Sequence, residues 1–166
     1  ERYVISIGYR INCGKGWNLR NMKIILNSLQ FKKQSSGIGI LIFNLFGTLI
    51  NIKNHDDGID LLLSKDSPEM LIADRKNVVQ CRTPFDKKQA VLRNIFENFC
   101  LGNKYCKNGV FVSADSKLPL IMPRKCKELL IVTDLAVYRM GEVYQFSRTL
   151  FWRFMFKHSI RKADKV

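Results

Sequence analysis

The stretch from Phe31 to Gly58 constrains the fold most, because it sets two apolar runs between polar turns. The first run, Ile38 to Phe43, is short, apolar and rich in β-branched residues, which is typical of a strand buried on both faces. Gly47 interrupts the apolar pattern, and Thr48 to Ile52 resumes it with alternating residues. The stretch therefore predicts a β-hairpin at the centre of the core.

The remaining sequence alternates between helix-like and strand-like patterns. Predicted strands or strand pairs cover Tyr3–Tyr9, Glu69–Gln80, Val110–Val112, Leu118–Met122 and Glu128–Tyr138. Predicted helices cover Asn18–Lys33, Asp86–Leu101 and Ser147–Lys162, with a helical turn at Asp60–Ser64. We therefore expect one α+β domain over residues 1–166, in which helices flank a mixed β-sheet.

The second predicted helix has the clearest apolar stripe of the chain. Its stripe residues recur at helical spacing and are expected to be buried: Val91, Leu92, Ile95, Phe96 and Phe99. Asp86 and Gln89 form a pair resembling a capping box at its start.

The net charge indicates a polyanionic partner. The 28 basic residues minus the 14 acidic residues give +14, an excess that attracts phosphate-rich molecules. RNA is the favoured partner, with an acidic protein and a membrane surface as alternatives. No apolar run is long enough to span a bilayer, and the first residue, Glu1, favours a segment excised from a longer protein.

The cysteines favour a reducing compartment, cytoplasmic or nuclear. Their number is odd and their spacing irregular, which argues against a secreted disulfide framework: Cys13, Cys81, Cys100, Cys106 and Cys126. The last three could meet around zinc, but a role as small buried hydrophobes fits their spacing better.

The terminal helix carries the predicted RNA-binding surface. Arg153, Lys157 and Arg161 recur every four residues, a spacing that can follow a phosphate backbone, while a docking helix with a solvated basic side is the alternative. Leu150, Phe151, Phe154 and Met155 are expected on the opposite face. The complete predicted RNA-binding set is Lys32, Lys33, Arg148, Arg153, Lys157, Arg161 and Lys162.

Sequence motifs give little support for a catalytic site. Two histidines, far apart in sequence, do not specify a nucleophilic triad, and the local acidic clusters resemble polar turns. Phe43 to Leu49 resembles the phosphatase loop of the haloacid dehalogenase superfamily, but Asn44 and Phe46 replace its two aspartates. This phosphatase activity is therefore not expected.

A second resemblance, to the Schlafen family and its AlbA-type relatives, covers most of the chain. The opening residues Glu1 to Gly8 resemble the family's first acidic motif, and Gln34 to Ile38 its glycine-rich turn. Gly39 to Phe46 resembles the central strand with its acidic end, Asn98 to Cys100 the H-F-C motif, and Leu130 to Trp152 the closing strand pair and tryptophan.

The resemblance implies a lobe without nuclease activity. The family's active members use three carboxylates, and the matching positions here hold Glu1, Ser6 and Phe46, so no complete catalytic set is expected. Such a lobe would bind RNA or scaffold another Schlafen-like chain in a multi-subunit endoribonuclease that processes small-RNA precursors of piRNA or tRNA type. No cofactor is expected in this domain, and Mg or Mn would lie at the partner's active site.

Two other functions remain open at this point. One is a generic basic RNA-binding or ribonucleoprotein structural domain with no nuclease partner. The other is an active nuclease that uses an unrecognised acidic set.

Overall fold

The computed structural model describes residues 23–31, 37–52, 58–67, 78–86, 88–133 and 146–166. These ranges contain nine elements in the order β1 (Ile24–Asn27), α1 (Gly37–Ile52), β2 (Ile59–Leu63), β3 (Val78–Arg82), α2 (Ala90–Phe99), α3 (Leu101–Tyr105), β4 (Gly109–Ser113), β5 (Cys126–Leu130) and α4 (Phe146–Lys162). Within these ranges, no helix is both long and apolar enough to cross a membrane.

The five strands form one sheet in the order β3-β2-β1-β4-β5, and every neighbouring pair is parallel. In the central pair, Ile24 lies opposite Val110 and Asn27 opposite Ser113. The predicted sheet with flanking helices is confirmed, but in the described part it is parallel rather than mixed. The fold is therefore of the doubly wound α/β type, in which the chain moves outward from the centre in both directions.

Side chains of the central strands alternate between two cores, one on each face of the sheet. On one face Leu26, Leu61 and Val112 pack with α1 through Ile42 and Phe46. On the other face a second cluster includes Ile25, Leu62, Phe96, Leu101, Phe111 and Leu118. Because both faces are covered, the strands are nearly continuous apolar runs, as expected for a parallel sheet.

The predicted central hairpin is wrong, because Gly37–Ile52 is a single helix. Ile42, Phe46 and Ile50 are fully buried at four-residue spacing, whereas Ile40 and Leu41 are exposed. A short apolar run does not distinguish a buried strand from a helix, and here the spacing of the largest buried residues fits the helix. Residues 39–46, which resemble the Schlafen central strand, therefore lie in α1.

Other boundaries also differ from the predictions. Ile24–Asn27 is the central strand rather than part of a helix, Ile59–Leu63 is a strand rather than a helical turn, and residues 118–122 contain no strand. Other predictions are confirmed. Strands are present at residues 78–79 and 110–112 and at the start of the predicted 128–138 segment, and helices are present at residues 90–99 and 146–162. The predicted strand at residues 3–9 lies outside the described residues.

A disulfide joins Cys106 to Cys126, so the expectation of unpaired cysteines is wrong for this pair. The bond ties the end of α3 to the start of β5 across a sequence separation of 20 residues. Cys81 and Cys100 are free. Disulfides are rare in reducing compartments, so this bond weighs against the predicted environment.

Candidate functional site

The carboxyl edge of the sheet contains a crevice between β1 and β4. The chain leaves β1 toward β2 on one side and leaves β4 toward β5 on the other, so the winding direction reverses between these strands. Doubly wound folds bind ligands at this switch point, outside the carboxyl ends of the strands. Here Asn27 ends β1 and Ser113 ends β4, and the Asn27 amide donates to the Ser113 hydroxyl over 3.4 Å.

A buried lysine lies beside this crevice. The Lys117 ammonium lies 2.6 Å from Glu97 Oε2 and 3.6 Å from Asp115 Oδ2, and its side chain is only 6% exposed. It also donates to Asn94 Oδ1 over 3.3 Å and lies 5.4 Å from the centre of the Trp152 ring. The cation thus contacts α2, the loop after β4, and α4.

The loop after β4 folds back and so positions Lys117. The Ser113 hydroxyl donates to the carbonyl of Lys117 over 2.8 Å, and Ser116 adopts a positive φ of 53° within this short turn. Immediately afterward, the Leu118 N–H donates to the Ser159 hydroxyl of α4 over 2.7 Å. The turn therefore connects the end of β4 to helix α4.

Helix α2 directs its polar side toward the cluster. Glu97 and Asn98 are buried, and Arg93 Nε lies 3.2 Å from Glu97 Oε1 as an i,i+4 ion pair. The predicted buried stripe is wrong except for Phe96, because Val91, Leu92, Ile95 and Phe99 are exposed by 48–72%. The ion pair between Glu97 and Lys117 accounts for this rotation of the helix. If α2 turned its apolar stripe inward, Glu97 would move away and leave the buried Lys117 ammonium without this partner. An unpaired buried charge costs far more than an exposed apolar side chain.

Burial raises the pKa of Asp115 to about 6, from its ordinary value of 3.8. The Lys117 ammonium opposes this rise, whereas the Glu97 charge adds to it. With Arg93 and Lys117 charged, the two carboxylates Glu97 and Asp115 are matched by two cations. The buried cluster therefore carries little net charge.

Glu97 and Asp115, with the Asn94 and Asn98 amides, are the oxygen donors here that could bind a divalent cation. The Lys117 ammonium already lies between the two carboxylates, where such a cation would have to bind. No group of three His, Cys, Asp or Glu suited to a metal occurs among the described residues. An adjoining cavity lined in part by Asn27, Asn98 and Leu118 has a volume of about 10 Å³, at the lower limit for one water molecule.

The residues predicted from sequence lie elsewhere. Phe46, aligned with a catalytic carboxylate, is fully buried in the core through α1 and does not reach the crevice. Glu1, Ser6, Lys32 and Lys33 lie outside the described residues, as does the side chain of Arg148 in α4.

The other four predicted RNA-binding residues lie on α4. Arg153, Lys157 and Arg161 are exposed. Lys162 is only partly exposed, because its ammonium donates to the carbonyls of Pro119 and Leu120 and pairs with Glu128 at 3.3 Å. Its ammonium is therefore engaged within the protein, and its role in RNA binding stays a prediction.

The predicted separation of α4 into a basic and an apolar face is wrong. Met155 is buried, but Leu150, Phe151 and Phe154 are 41–59% exposed. They share the exposed side with the basic residues. We define the α4 surface as Leu150, Phe151, Arg153, Phe154, Lys157 and Arg161. Its aromatic Phe151 packs edge-on against Trp152, whose ring faces Lys117, so the surface borders the crevice.

Sequence reasoning missed the cluster around Lys117. One signal was available, since the apolar run Val110–Val112 is followed directly by Ser113, Asp115 and Lys117, and polar residues after a parallel strand lie at the ligand-binding edge. The contribution of Glu97 depends on the rotation of α2, which the apolar stripe predicted incorrectly.

A scan against protein-family models and searches of curated proteins and solved structures found no match to this chain.

Proposed function

We propose that this domain binds single-stranded RNA through the α4 surface and does not cleave it. The observation that carries the proposal is the mixture of exposed rings and exposed cations on one side of α4. Single strands are bound by surfaces that combine these groups, because the rings stack on bases and the cations contact phosphates. The net charge of +14 adds long-range attraction for the same partner.

The Lys117 cluster supports binding without cleavage. Metal-dependent phosphodiester cleavage needs carboxylates free to bind the cations that stabilise the attacking and leaving oxygens. Glu97 and Asp115 are instead engaged by a buried ammonium, and the neighbouring strand end carries the neutral Asn27. The cluster therefore offers no free carboxylate pair that could bind the cations needed to cut an RNA backbone.

The test compares the binding of a fluorescently labelled RNA oligonucleotide by wild type, Phe154→Ala and the double variant Lys157→Ala/Arg161→Ala. Loss of one stacking ring should weaken binding roughly 5- to 150-fold, corresponding to about 1–3 kcal/mol. The double variant should also show a shallower salt dependence, because it loses two phosphate contacts.

Lys88→Ala is the control, because it removes an exposed charge just before α2, away from the α4 surface. It should bind almost as well as wild type. Equal binding by all four proteins would exclude the α4 surface as the RNA site.

The exposed apolar residues of α2 favour a protein partner as a second, compatible function. Val91, Leu92, Ile95 and Phe99 form a stripe of the kind that marks protein-binding surfaces. Another Schlafen-like chain, with Mg or Mn at its own active site, stays the predicted partner. Phe46 and Phe111 are fully buried in the core and so do not contribute to such a contact.

Co-purification with light scattering tests this partner. Capture of a Schlafen-like chain by wild type, and its loss in Leu92→Glu, would support the assembly. A monomer that captures no such chain would contradict it.

A further inference from the structure

We infer that a lysine-lined groove at the amino edge of the sheet is a second contact site for RNA phosphates; this inference rests on the proposed RNA-binding function. We define the lysine groove by Lys23, Lys104, Tyr105, Lys107 and Lys125, which line a depression of about 530 Å³. This volume falls within the range of about 300–1,000 Å³ that is usual for ligand sites.

The fold brings these lysines together from separate parts of the chain. Lys23 directly precedes β1, Lys107 precedes β4 and Lys125 precedes β5, and the amino ends of parallel strands meet at one edge. Lys104 lies in α3. Asp60 contacts Lys23 at 2.6 Å and offsets its charge, while Lys104, Lys107 and Lys125 are exposed. The groove is therefore strongly positive.

Two backbone features hold the groove walls in place. Gly109 has a φ of 135°, and a Cβ there would collide with the carbonyl of Lys23, so only glycine allows these two segments to approach. In addition, the disulfide joins Cys106 to Cys126, which are the sequence neighbours of Lys107 and Lys125, and so it ties together the two segments that carry these lysines. The lysines therefore project from a braced framework.

Tyr105 indicates recognition of phosphates rather than bases. Its ring is half-buried, packs edge-on against Phe96 at 6.5 Å, and has the Lys104 ammonium 5.4 Å from its centre. Because this ring is half-buried and already has a cation over its face, it is poorly placed to stack on a base. Binding in the groove should therefore depend little on RNA sequence.

One wall of the groove lies near the carboxyl end of α4. The segment that follows α4 contacts the beginning of β5, where Lys127 Nζ pairs with Asp164 at 3.1 Å and the Asp164 N–H donates to the Glu128 carbonyl. Lys125, in the groove, immediately precedes β5. We therefore expect a single strand bound along α4 toward Arg161 to reach the lysine groove.

The experiment measures RNA affinity at about 50 and about 200 mM salt for wild type and the triple variant Lys104→Ala/Lys107→Ala/Lys125→Ala. Each phosphate contact on a single strand contributes roughly 0.7 to the salt slope. Across this salt range the wild-type affinity should therefore fall about 20-fold further than that of the triple variant. The changed side chains are exposed, so thermal unfolding should be nearly unchanged.

The control is Lys65→Ala/Lys88→Ala/Lys165→Ala, which removes the same charge from exposed lysines outside the groove. It should retain most of the wild-type slope. Titration with inorganic tripolyphosphate provides a second readout. Wild type and the control should bind tripolyphosphate, and the groove variant should not.

The outcomes separate the two proposals. Suppose that wild type binds RNA, and that the groove variant has the wild-type salt slope and the wild-type affinity for tripolyphosphate. This result would overturn the groove proposal and leave the α4 proposal intact. Failure of wild type to bind RNA would overturn the proposed function. If tripolyphosphate binding were still lost in the groove variant, the phosphate site would be real but its assignment to RNA would be wrong.

Discussion

Lys117 balances the most deeply buried charges of the candidate site. Removing its ammonium in Lys117→Met leaves Glu97 and Asp115 without their shared cation, while the apolar stem is largely preserved. Breaking a buried ion pair from one side typically costs about 3–5 kcal/mol, and we expect a loss of this size at neutral pH. Urea denaturation measures it directly.

The control for this prediction is Lys88→Met, which makes the same chemical change at an exposed position. Its effect should stay within about 0.5 kcal/mol. If Lys117→Met were as stable as the control, the ammonium would not be holding the two carboxylates.

Asp115 should make stability depend on pH. Its folded-state pKa of about 6 lies above the ordinary 3.8, so the folded protein binds this proton more tightly than the unfolded chain does. The resulting stabilisation is complete below about pH 4, is lost as pH rises through 6, and amounts to roughly 3 kcal/mol.

Asp115→Asn cannot titrate at this position and serves as the comparison. The free energy of unfolding of wild type, relative to that of Asp115→Asn, should fall by roughly 2.5 kcal/mol between pH 4 and pH 7. Denaturant titrations across this range measure the difference. Parallel pH curves for the two proteins would show that Asp115 has an ordinary pKa.

At the scale of single elements, the rotation of α2 decides which face supplies the site. Phe96 packs against Phe85 with ring centres 5.3 Å apart, whereas its neighbour Ile95 is 52% exposed. Phe96→Ala should therefore cost about 3–5 kcal/mol, and Ile95→Ala less than about 1 kcal/mol. Thermal and urea unfolding of the two variants measure these losses. Large losses of stability in both variants would support the predicted buried stripe, which contains both residues.

The same helix shows where sequence reasoning fails. Its position was predictable from its periodicity, but its apolar stripe indicated the wrong buried face. Periodicity identifies an apolar side without revealing whether the sheet, a partner or solvent covers it. That Glu97 and Lys117 form a buried ion pair can be seen only in the folded structure, where α2 meets the loop after β4.

Helix α1 illustrates a different failure. Six consecutive residues from Ile38 to Phe43 satisfy the pattern of a buried strand, and the helical spacing of Ile42, Phe46 and Ile50 emerges only over a longer window. Because this run was assigned to a central hairpin, the actual central strand, β1, was not recognised. β1 is only four residues long. The strand prediction at Val110–Val112, made from a similar short apolar run, is confirmed.

For the whole molecule, the sequence was sufficient to predict a sheet with flanking helices and a basic surface on the terminal helix. Strand order and the crevice could not be predicted, because they depend on which strands pair over long sequence separations. Arg153, Lys157 and Arg161 were recognisable from spacing alone. Their proximity to exposed Phe151 and Phe154 required the rotation of α4, which is set by buried Met155 and Ser159.

The central claim is that this domain holds RNA without cutting it. A gel-shift experiment with end-labelled single-stranded RNA in the presence of Mn²⁺ tests both binding and cleavage. Half of each sample is run on a native gel, which shows binding, and half on a denaturing gel, which shows cleavage. We predict a shifted band that weakens as salt rises, and full-length RNA on the denaturing gel. Shortened RNA that disappears in Glu97→Gln or Asp115→Asn, or the absence of any shift at low salt, would contradict the claim.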